Sequence, residues 1–145
     1  MPKPLTDRID AARSTVSLTI PADPACVGTV RYFAATIARH AGLSEELIDD
    51  LRLAVSEACA EAIEEGVTGS IRVDLSLEAE GIVVQVISPS IEPGGAVDGS
   101  EQLLPIQRLQ LIRALFSDAE AEQSPGMRVV RFTVPHAGAN GTAER

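Results

Sequence analysis

Hydrophobic positions along the chain change period several times, and each change marks an element. In "STVSLTI" (14–20), Val16, Leu18 and Ile20 alternate with hydroxyl residues, the period of a half-buried strand. Val27, Val30, Phe33, Ala34 and Ile37 then recur at helical spacing, in a segment that opens on Asp23 and Pro24 and closes on Gly42. Asp is a good N-cap, Pro fits the first helical position, and Gly is a natural C-terminal stop. Ser44 caps a second predicted helix with Glu45 and Glu46 in its first turn. Leu47, Leu51, Ala54, Val55, Ala58 and Ala62 make its inner stripe, and Gly66 ends it.

Two strands follow, "SIRVDLSL" (70–77) and "IVVQVIS" (82–88), joined as a hairpin by the turn "EAEG". The second is more continuously apolar and should lie nearer the sheet centre. The Pro/Gly-rich "PSIEPGGAVDGSEQ" (89–102) reads as a loop. Helical spacing resumes over 103–119 through Ile106, Leu109, Ile112 and Leu115 or Phe116, and "GMRVVRFTV" (126–134) alternates as a strand. The order β-α-α-β-β-loop-α-β predicts an α+β fold, a two-layer sandwich of a mixed, mostly antiparallel sheet with helices on one face. Residues 14–135 are expected to form the domain, 1–13 a flexible arm and 136–145 a disordered tail.

Composition sharpens this picture in a few places. Apolar residues make up 45% of the chain and aromatic ones only 3%, so the core must be built from Leu, Ile, Val and Ala. A net charge of −9 argues against direct contact with nucleic acid, whose phosphates need clustered Lys and Arg. The same charge suits a basic protein partner. No apolar run approaches the ~18 residues that span a bilayer, and the start lacks a signal-peptide core, so the cytoplasm is the expected location. Cys26 and Cys59 have no metal-type spacing and read as small hydrophobes kept reduced. His40, at the end of the first helix, suits the dipole there, and His136 lies in the tail.

One stretch resists a bland reading. "VSEACAEAIEEG" (55–66) stacks Glu57, Glu61 and Glu65 four residues apart, with Glu64 beside them. Like charges at that spacing repel by ~0.2–0.5 kcal/mol per pair, and carboxylates near a helix C-terminus oppose its dipole. The commoner explanation is a face bathed in water; the sharper one is a site. A metal site fits poorly, because one helix presents carboxylates in a line whereas Ca²⁺ needs oxygens wrapped around it.

At "LSEELIDDLRLAVSEACAEAI" (43–63) the chain resembles the bacterial anti-sigma factors that double as serine-protein kinases. These have the GHKL fold, the histidine kinase-like ATPase fold shared with gyrase and Hsp90. The likeness covers roughly residues 14–135. It includes the strand end Ile20-Pro21-Ala22, Arg31 on the first helix, Asp49 to Ala58, Leu109 to Asp118, and Gly126 to Val134. The resemblance implies a sigma factor and/or an anti-sigma antagonist as partner, contact through Arg31, and a homodimer.

The family's nucleotide motifs depart from their pattern here. Glu57 stands at the position of the general base for the substrate serine, Glu61 at the Asn that holds Mg²⁺, and Glu65 at a nearby His. The adenine-binding Asp falls on Ser88, with no Gly where the backbone must approach the base; Gly94 and Gly95 come later. Segment 89–102 occupies the place of the ATP lid. The Gly-x-Gly-Leu turn that cradles phosphate reads "IQRLQLI", with Ile106 and Arg108 at the Gly positions. The expected reading is therefore a regulatory binding protein without ATP, needing no cofactor. The alternative is an active ATP- and Mg²⁺-dependent kinase with Glu57 as base and Glu61 replacing Asn. A third is a sensor whose altered pocket takes another small molecule.

Overall fold

The computed structural model describes residues 14–66, 68–89 and 99–136, with side chains from 107 onward in the last stretch. The arm 1–13, segment 90–98 with Ile91, Gly94, Gly95 and Val97, and the tail from 137 lie outside the described residues. The elements are β1 (Thr15–Pro21), α1 (Val27–His40), α2 (Glu45–Glu64), β2 (Ser70–Glu78), β3 (Gly81–Pro89), α3 (Gly99–Leu115), β4 (Glu120–Ser124) and β5 (Met127–Pro135). The strands pair in the order β1-β2-β3-β5-β4, and every ladder is antiparallel. The two-layer α+β sandwich is the expected one, with a sheet antiparallel throughout rather than mixed. Tight β2–β3 and β4–β5 connections leave no room for the crossover that parallel neighbours require.

Alternation decides which face of the sheet meets the helices. Ile71, Val73 and Leu75 of β2, Ile82, Val84 and Val86 of β3, and Val130, Phe132 and Val134 of β5 are all buried. They form one core with Val30, Ala34 and Ala38 of α1 and Leu51, Ala54, Val55 and Ala58 of α2. Phe116, just after α3, stacks on Phe132 with ring centroids 5.0 Å apart. β3 lies at the centre of the sheet, as its apolar run requires. Gly81 opens it at φ 151°, where a Cβ would lie 2.1 Å from the Val134 carbonyl oxygen. Only glycine fits there.

The helix ends follow their sequence signals closely. Asp23 accepts a hydrogen bond from the Ala25 N–H and caps a short 3₁₀ turn, Pro24–Cys26, so α1 itself begins at Val27. At its C-terminus the Leu43 and Gly42 N–H groups donate to the Ala38 and Arg39 carbonyls at 3.1 and 3.0 Å, with Gly42 left-handed at φ 84°. This six-to-one pattern turns the chain sharply into α2. There the Ser44 hydroxyl accepts from the Leu47 N–H at 3.2 Å. Ser44→Ala should lower unfolding stability by about 1 kcal/mol. Chemical denaturation checks this, and no change would mean the cap is dispensable.

Two expectations need correction. The loop drawn over 89–102 extends too far, because α3 begins at Gly99; that helix also stops at Leu115, short of 119. A strand was missed altogether: β4, "EAEQS", pairs with β5 across the turn at Pro125 and Gly126. Its side chains are exposed except for half-buried Ala121. It is a charged edge strand, and such edges carry no apolar alternation to read. Among the described residues no helix is long and apolar enough to cross a membrane.

Candidate functional site

The C-terminal half of α2 runs across the sheet near the start of β5. Glu61 is in phase with Ala54, Ala58 and Ala62, so the stripe that faces the core carries it inward, to 2% exposure. Arg128 is in phase with Val130, Phe132 and Val134, so it points to the helix layer from the strand side. The two meet, Arg128 Nη2 against Glu61 Oε2. Burial pushes the Glu61 carboxyl up to about 7. Arg128 and, more weakly, Arg108 pull against that rise, while Glu65 adds to it. Arg128 also donates from Nη1 to Gln123 Oε1 at 3.3 Å.

A second arginine comes from α3. Arg108 contacts Glu57 through Nη1 and Glu64 through Nη2, the latter at 2.6 Å. Its side chain is only 19% exposed. Burial works against its charge, but the hydrogen bonds and charges of Glu64 and Glu57 outweigh that and raise its pKa. The Nε atoms of both arginines are buried without a hydrogen-bond partner among the described residues.

The acidic ladder is therefore not the water-washed face that its spacing favoured. Glu61 is inside the fold, and Glu57 and Glu64 hold one guanidinium between them. The two cations offset the repulsion built into the helix. Ser88 is buried on β3 directly opposite Arg128 in the ladder register. The structure thus gathers four predicted positions, Glu57, Glu61, Ser88 and Arg108, together with one unpredicted arginine, Arg128. The side chain of Ile106 lies outside those described.

Arg31 lies apart from this cluster. It is exposed on α1 and donates to Ser56 Oγ at 3.2 Å, and Ser56 in turn donates to the Arg52 carbonyl at 2.7 Å. Exposed Tyr32 and Leu53 lie on the same two helices. Cys59 is buried and its thiol is pushed up to about 12, so it stays protonated, while Cys26 is half-buried. Among the described residues, no group of three His, Cys, Asp or Glu side chains is placed to hold a metal ion.

Sequence reasoning missed Arg128 and gave Glu64 no partner. The signal for Arg128 was present: a charge in phase with the buried positions of a strand demands a buried counter-charge.

What can this arrangement do chemically? A general base needs a carboxylate oxygen open to the substrate hydroxyl; one of the two Glu57 oxygens, Oε1, is engaged by Arg108. A metal-binding role for Glu61 would have to displace Arg128. A phosphate-binding turn needs bare backbone N–H groups, and the Gly position carries Arg108, whose guanidinium is already shared by two acids. Among the described residues, a magnesium-bound triphosphate would have to part Arg108 from Glu57 and Glu64, and Arg128 from Glu61.

Comparison with known proteins places this fold. Residues 20–134 match the histidine kinase-like ATPase domain, and the chain belongs to that family. It is 30% identical over 130 residues to the serine-protein kinase RsbW of Halalkalibacterium halodurans, covering 78% of each chain. A shorter stretch of 49 residues is 41% identical to the serine-protein kinase RsbW of Bacillus velezensis, covering 34% of this chain and 31% of that one. The crystal structure of the RsbU and RsbW domains of a Mycobacterium tuberculosis protein superposes with a TM-score of 0.68 at 20% identity. That match covers 84% of this chain and 32% of the larger one, and it shows the shared fold.

Proposed function

We propose that this chain is an anti-sigma-type regulator. It binds a sigma factor and/or an anti-sigma antagonist through the α1–α2 surface around Arg31, and it has lost nucleotide binding. The observation that carries the second part is Arg108. At a position where the family resemblance places phosphate-binding glycine, it is bound to Glu57 and Glu64. The first part is supported by an undamaged scaffold and by an exposed Arg31 held in place by Ser56. Occlusion is the mechanism: the docked surface covers what the partner needs for its own assembly.

Affinity capture from the native lysate, with wild type and Arg31→Glu, tests the docking face. Wild type should retain a sigma factor or an antagonist, and the reversed charge should weaken that capture at least tenfold, or about 1.4 kcal/mol. Identical partner lists would remove Arg31 from the interface.

The retention of Glu57 favours a second reading, a working serine kinase in which Arg108 swings away. Phosphoserine appearing on a captured antagonist with ATP, and absent with Glu57→Gln, would establish it.

A further inference from the structure

Arg108 joins two carboxylates that lie seven residues apart on α2, about two helical turns. One planar guanidinium that meets both cannot follow either alone, so it braces α3 against α2 rather than pairing loosely at the surface. Its largely buried position also keeps salt from screening the contact as it would an exposed pair. Among the described side chains of α3, Ile112 is buried and Leu109 and Leu115 are half-buried against the core, while Gln107, Gln110 and Leu111 are exposed.

We infer that the Arg108 clasp is a conformational device that holds α3 docked on α2 with no small molecule between them. The carboxylates of Glu57 and Glu64 take the part of a bound anion, and the guanidinium takes the part of the donors that would receive it. The docked arrangement is then permanent instead of ligand-dependent. The same stretch of α2 carries Ser56, which holds Arg31, so the docking surface is preformed as well. This inference rests on the proposed loss of nucleotide binding.

Amide hydrogen exchange on the full chain tests it. In wild type, residues 107–115 and 57–64 should be protected, and millimolar ATP with Mg²⁺ should leave that protection unchanged. In Arg108→Gln, and separately in the Glu57→Gln/Glu64→Gln double variant, exchange in both stretches should rise at least tenfold. The β3 and β5 amides should keep their protection, which shows that the variants remain folded. Exchange in either variant within twofold of wild type, with the sheet intact, would overturn the clasp. Protection of wild type that increases with ATP and Mg²⁺ would instead overturn the loss of nucleotide binding, and the variants would still judge the clasp on their own.

Discussion

Arg128→Met should destabilise the fold by about 3 kcal/mol at pH 8, the loss expected when one member of a buried ion pair is removed. Glu61 is 2% exposed, and Arg128 is the one cation in contact with it among the described residues. Methionine fills much of the same volume and keeps the packing of the aliphatic stem, so the loss reports the charge rather than a cavity. At pH 5 the carboxyl holds its proton, because burial has pushed its pKa up to about 7. There the same substitution should cost less by about 1.4 kcal/mol, since a neutral acid needs no counter-ion and the folded pKa lies about one unit below pH 8. Denaturant unfolding at the two pH values measures both. An equal loss at pH 5 and pH 8 would mean that Glu61 is not the group Arg128 serves.

Wild type should itself lose stability as pH rises from 5 to 8. The Glu61 carboxyl moves from an ordinary 4.5 to about 7 on folding. Through that window the folded state binds more protons than the unfolded chain, so stability falls with increasing pH and levels off above the folded pKa. Each pH unit of the gap is worth about 1.4 kcal/mol, which makes the whole effect about 3 kcal/mol. Asp50 is raised as well, by burial and by Glu46 and Asp49. The comparison that isolates Glu61 is therefore the slope of wild type against that of Glu61→Gln. The variant should lack most of the decline, and parallel slopes would contradict the assignment.

Much of the fold can be read from local chemistry. Ser44, Gly42 and Gly66 mark helix ends because capping and left-handed turns have few alternatives. The stripe of α2 and the alternation of β2, β3 and β5 mark buried faces because burial imposes a period. β4 escapes such reading because a charged edge strand buries almost nothing. The first turn of α3 escapes it because Gly99 and Ser100 have weak helix propensity and the apolar rhythm begins only at Leu103.

The candidate site divides along the same line. Its positions, Glu57, Glu61, Ser88 and Arg108, follow from the family pattern. The way the acids are neutralised does not, because that depends on contacts between residues far apart in the chain. Arg108 and Glu57 are separated by 51 positions. Helical spacing displays the repulsion within the ladder; only the packing of α3 and β5 on α2 displays the cations that relieve it. For that reason a face read as solvated holds a buried acid, Glu61, beside half-buried Glu57 and exposed Glu64.

The anti-sigma proposal with a closed nucleotide site stands or falls on one titration. Calorimetry of the full chain with ATP and Mg²⁺ should show no binding heat up to about 1 mM nucleotide, so that any binding is weaker than about −4 kcal/mol. Binding at micromolar concentration would mean that Arg108 and Arg128 yield to a triphosphate, and the kinase reading would replace this one.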